Sequence, residues 1–158
     1  MNLVEDGVLA GALLIEAAPD GSFLRLEGTT VAGLLTLHPA DGGLHGNAVR
    51  PAGVTHLSLP WSDAHILIVA GTPTAAAAAA QALRGRLGVG EGCSVPGVLV
   101  EPTLDVRPVT FRVLRVGPRG WRFIVADTGA ETGVTLDLDG LPSLDDAVGW
   151  PLELGSGH

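Results

Sequence analysis

Turns cut this chain into short pieces, and that punctuation constrains its fold more than any other property of the sequence. Gly and Pro together supply 34 of the 158 residues, mostly in clusters between apolar runs. Pro presets φ and Gly accepts positive φ, so each cluster reverses the chain and leaves little room for long helices. Residues 8–17 are apolar, Pro19-Asp20-Gly21 turns, and 23–27 returns as the second arm of a hairpin. In that arm Leu24 and Leu26 fall on one face, and Phe23, Arg25 and Glu27 on the other. Strands at 31–38, 44–50 and 54–59 follow, separated by 39–43 and 51–53. The last does not alternate strictly, which predicts a bulge or a frayed end. Residues 64–70 are apolar without interruption, as in a strand buried on both faces.

One helix is expected, over 73–87. Thr72 is a good N-cap, Pro73 suits the first helical position, and the run of Ala favours helix. The next strand, 95–101, completes a unit of the right length for a parallel βαβ crossover. The last third reverts to hairpins: 109–116 with 121–126, then 134–138. Alternation there puts Phe111, Val113, Trp121, Phe123 and Val125 on a core face. The reading is therefore an α+β fold, a largely antiparallel, curved sheet with one helix packed on it. It forms one domain over 1–154; two subdomains hinged at 85–92 are the runner-up. The tail carries Leu141, Leu144, Trp150, Leu152 and Leu154 and is read as a flap over a sheet edge. Residues 155–158, Gly-Ser-Gly-His, are either a native tail or a cloning remnant and carry no fold signal.

Charge and composition exclude several functions. The net charge is −8, and all nine basic residues are Arg. Such a chain is poorly suited to neutralising nucleic-acid phosphates or docking on anionic membranes. No apolar run reaches the roughly 20 residues of a membrane span, and acids stand near the N-terminus where a signal peptide needs bases. The expected location is the cytoplasm. One cysteine, Cys93, excludes an internal disulfide framework. The absence of Lys fits the codon bias of a GC-rich, bacterial-type genome, and it removes Schiff-base, pyridoxal-phosphate and P-loop chemistry. No cofactor is implied.

Four groups of side chains are candidate sites. Arg107, Arg112, Arg115, Arg119 and Arg122 fall within sixteen residues with no acid between Asp105 and Asp127. Arg112, Arg119 and Arg122 then form a solvated basic face, or a contact for an anion or partner. Thr72 and Thr74 open the helix, where unpaired N–H groups attract anions. His38, His45, His56 and His65, with Asp41 and Asp63 in adjoining turns, would form a metal site if the strands bring them together. Cys93 and Ser94 follow a helix and lead into a strand, the reverse of a nucleophile elbow, and are read as inert. Asp137/Asp139 and Asp145/Asp146 are ordinary turn and surface acids. Trp61 and Trp150, both beside Pro, are read as lids.

Three functions follow. The first is a non-enzymatic domain acting through protein–protein contact or self-assembly, because the motifs of catalysis are missing. The second is a small-molecule binder with a pocket in the curved sheet, closed by the Trp61 or Trp150 loop. The third is a metal-dependent hydrolase using the His/Asp set.

Overall fold

The computed structural model describes residues 2–5 and 8–143, with side chains from Gly11 onward. The first part is an antiparallel meander. Its strands are β1 (Asn2–Glu5), β2 (Val8–Ala17), β3 (Phe23–Thr30), β4 (Gly33–Ala40), β5 (Gly43–Arg50) and β6 (Gly53–Pro60), paired in chain order. Alternation sends Leu26, Leu35, Leu37, Leu44 and Ala48 inward, all fully buried. The opposite face is wet. Its rows run across the strands through Thr29, Leu34, Val49 and Val54, and through His38, His45 and Ser58. The β4–β5 link is a two-residue turn, Asp41-Gly42, with φ of 51° and 74°. Positive φ at both central positions is what a type I′ hairpin turn requires, and Asp-Gly supplies it.

The second part wraps one helix. Strands β7 (Ile66–Val69), β8 (Gly92–Val100), β9 (Val106–Arg115), β10 (Gly120–Val125) and β11 (Glu131–Thr135) form a sheet ordered β11-β10-β9-β8-β7. Only β7 and β8 run parallel, joined through helix α1 (Pro73–Leu83) as the crossover spacing predicts. The architecture is α+β, with mostly antiparallel, curved sheets and, among the described residues, a single helix. The antiparallel strands are divided between two sheets.

The five-stranded sheet carries a core on each face. Against α1 lie Phe111, Val113, Trp121, Phe123 and Val125, the face read from alternation, with Ala76, Ala79, Ala80 and Leu83 from the helix. The Ala side chains let the helix approach closely, and the aromatics supply the buried bulk. The second cluster joins Leu13, Leu26, Leu35 and Leu37 to Val98, Val100 and Leu104. Strand β7 serves both: Ile66 and Ile68 belong to the helix-side core, Leu67 and Val69 to the inter-sheet core. Its continuous apolar run is thereby explained.

Three expectations are corrected. The helix ends at Leu83, four residues short of 87. Arg115 donates hydrogen bonds to the carbonyls of Arg84 (3.4 Å) and Leu87 (2.8 Å) beyond the helix end, and its guanidinium lies 5.2 Å from the Trp121 ring centroid. That side chain satisfies carbonyls which a continued helix would otherwise have bonded. Strand β6 pairs with β5 residue for residue, so there is no bulge at 54–59. Val54 stands on the wet face beside Val49, which accounts for the broken hydrophobic pattern. The register shift lies instead in the first hairpin, where Glu16 pairs with Arg25 but Ala17 pairs with Phe23. Leu24 is the extra residue, and Phe23 leaves the Arg25/Glu27 face to pack against the inter-sheet core. Of the tail flap only Leu141 falls among the described residues, and it is exposed; the rest of the flap and the Trp150 lid lie outside them.

Candidate functional site

A cleft of about 640 Å3 opens where the turn end of the six-stranded sheet meets the helix. Its size falls within the range of small-molecule sites, roughly 300–1,000 Å3. Three chain reversals build it: the β2–β3 turn with Asp20, the Asp41-Gly42 turn, and the β6–β7 loop with Trp61 and Asp63. The fourth side is α1, through Ala75, Ala78, Ala79, Ala82 and Leu83.

Local chemistry fixes each wall. In the β2–β3 turn, the Asp20 carboxylate accepts the Ser22 N–H (2.9 Å) and the Ser22 hydroxyl (2.7 Å). Those bonds hold its pKa below the usual carboxylate value, the hydroxyl contributing most. The same turn sits on the helix at Gly21, with φ +86°. A Cβ there would lie 2.5 Å from the Ala78 carbonyl and from the Ala82 nitrogen. Only Gly allows both the backbone shape and the approach.

The β6–β7 loop places an aromatic cluster. Phe23 and Trp61 pack edge to face, with centroids 5.5 Å apart and planes at 62°. Trp61 and His65 lie 5.5 Å apart at 34°. The Ser62 N–H donates to His65 Nδ1 at 3.1 Å, and the Ser62 hydroxyl lies 2.9 Å from the same atom. A backbone N–H only donates, so Nδ1 accepts and the neutral ring carries its hydrogen on Nε2. The floor is apolar, from Ile15, Ile66, Leu67 and Leu83. The open side carries Asp20, Asp41, Asp63 and Arg86, all exposed. None of the described ion pairs takes in any of these four.

The structure divides the histidine set. His38 and His45 are cross-strand partners on the wet face of the meander, and His56 follows on β6. There His56 Nδ1 lies 2.5 Å from Asn47 Oδ1. His65, Asp41 and Asp63 line the cleft instead. Among the described residues, no group of three or more His, Cys, Asp or Glu is placed to hold a metal ion.

Carboxylates answer two of the five arginines in the hairpin. Arg122 grips Glu131 with two bonds, Nε to Oε1 at 2.5 Å and Nη2 to Oε2 at 2.6 Å. This raises the Arg122 pKa and lowers that of Glu131, the side-chain hydrogen bonds being the larger cause for each. Arg107 pairs with Asp127 at 3.0 Å, and Arg115 is spent on backbone carbonyls. Arg112 and Arg119 remain exposed.

At the helix start, Thr72 occupies the N-cap position without a side-chain capping bond. Its hydroxyl is buried and has no partner among the described residues. It borders a small apolar cavity of about 60 Å3 between the sheets, lined also by Leu13, Leu26 and Val100. Thr74 is half-buried beside it. Cys93 is exposed, and what burial it has pushes its thiol pKa up, which disfavours the thiolate a nucleophile needs.

Sequence reasoning found Trp61 and missed Phe23, because the bulge at Leu24 reverses its face. The adjacent pair Phe23-Leu24, two large apolar residues where alternation allows one inward, is the signal that pointed to it.

The molecule is thus an α+β domain fold with a cleft at one end of its meander. No family model and no curated protein matches the chain. Among solved structures it is similar to a DUF1089 family protein from Pseudomonas aeruginosa, with a TM-score of 0.54 at 12% sequence identity. The match covers 84% of this chain and 87% of that one, and at this identity it shows a shared fold. No described helix is long and apolar enough to cross a membrane.

Proposed function

We propose that this protein is a small-molecule-binding domain whose ligand enters the cleft between the meander turns and α1. The observation that carries the reading is the aromatic cluster of Phe23, Trp61 and His65 on the wall of a cleft of about 640 Å3. A half-open Trp over an apolar floor offers a ligand large contact area at little side-chain entropy cost. The His65 Nε2–H adds one directional donor.

The test uses Nile red, a neutral apolar dye, with Ala82→Trp to fill the cleft from its helix wall. Saturable binding that responds to Trp61→Phe and is lost in Ala82→Trp, with the circular dichroism spectrum unchanged, is the expected result. Binding that survives the filled cleft sinks the reading.

Self-assembly with a second copy is the second reading, favoured by β6. It is last in its sheet order and carries no acidic or basic charge apart from His56 along Gly53–Pro60. Uncharged edges of this kind pair readily with other strands. A dimer in light scattering that Thr55→Lys dissociates would support it. A strict monomer at high concentration would end it.

A further inference from the structure

Resting on the cleft as the binding site, we infer that its ligand is an amphipathic cation, an ammonium group carried on an apolar body. The deep wall of Ile66, Leu67, Ala79 and Leu83 offers only apolar surface to whatever lies against it. The charge sits at the open side. Three carboxylates from three separate loops, Asp20, Asp41 and Asp63, face one guanidinium, Arg86. Asp20 is held by Ser22, while Asp41 and Asp63 have no bonding partner among the described residues. The mouth therefore presents a net negative field over an aromatic wall.

An anion would meet repulsion from three groups and attraction from one. An ammonium gains from the carboxylates, and from any Trp61 or Phe23 ring face it reaches, where the π quadrupole is negative. The division of labour assigns the apolar body to the floor and the charged head to the rim. Asp41 occupies a left-handed position at φ 51°. Asn tolerates that conformation as Asp does, so its charge can be removed without breaking the turn.

The experiment displaces Nile red from the full chain with three probes of equal chain length: octyltrimethylammonium, 1-octanol and octanoate. The cation is expected to compete about tenfold better than either of the others at low salt, with the advantage shrinking as ionic strength rises. Asp41→Asn with Asp63→Asn should remove most of that advantage and leave 1-octanol unchanged. Equal or stronger competition by octanoate or 1-octanol overturns the cation assignment while the cleft reading stands. Failure of Nile red itself to bind at the cleft overturns both.

Discussion

The two cores of this molecule differ in how completely they are filled. On the helix side, Trp121, Phe111 and Phe123 are sealed between the five-stranded sheet and an Ala-faced helix. Between the sheets, Leu side chains pack the middle, but one end opens into the cleft and the other holds a small cavity beside Thr72. The lesson is one of side-chain economy. Three large aromatics and a thin helix make a solid layer, whereas aliphatic residues across two curved sheets leave gaps at the ends. The cleft draws on both layers, because Ile66, Ala79 and Leu83 of the helix-side core line it beside Leu67 and Ala75 of the inter-sheet core.

The largest expected effect tests the solid layer. Trp121→Ala should cost about 3–5 kcal/mol by cavity formation, read from denaturant unfolding, with loss of the folded state as the extreme outcome. A cost below about 1 kcal/mol would erase the contrast between the cores. At the open layer, Gly21→Ala forces a Cβ against the helix backbone at 2.5 Å and should cost about 1–3 kcal/mol. It should also weaken Nile red binding, because the turn that forms one cleft wall has to shift.

Thr72→Val sharpens the picture at the other end. A capping Thr would lose about 1 kcal/mol on such a change. Here the hydroxyl makes no capping bond and is buried without a partner, so the variant should be neutral or slightly more stable in thermal melts. A clear loss would mean that the hydroxyl is satisfied in solution.

The smallest effect lies on the outer surface. The Glu131 pKa is lowered by Arg122, so the stability this pair contributes is complete above the ordinary Glu pKa. It is lost as pH falls through the lowered value. Both groups are exposed and screened, so Glu131→Gln should shift the melting temperature slightly at pH 7 and not at all near pH 2. An equal shift at both values would assign the effect to packing.

Much of the fold was legible because local rules and global packing agree over most of the chain. The turn read at 39–43 narrows to Asp41-Gly42, the buried strand read at 64–70 to Ile66–Val69, and the alternation around Trp121 places all five of its residues in the helix-side core. The cleft was less legible. It depends on a one-residue register shift at Leu24, and pairing register is set by the partner strand as much as by the sequence of the shifted one. The helix end at Leu83 was hidden for a similar reason. The carbonyls just beyond it are bonded by Arg115, thirty-two residues further along the chain. The histidines illustrate the converse: His38 and His45 did prove to be neighbours, yet His65 lies around the corner of the sheet, a separation no spacing rule encodes.

Strand β7 has a consequence for how the protein comes apart. Its even and odd residues are anchored in different layers, so neither layer can loosen while β7 stays in place for the other. Strand β8 alternates in the same way, with Val95 and Leu99 in one core and Val98 and Val100 in the other, so the pair of parallel strands ties the two cores together. The backbone amides that pair β7 with β8 belong among the slowest-exchanging hydrogens in the molecule, released only when the whole chain opens.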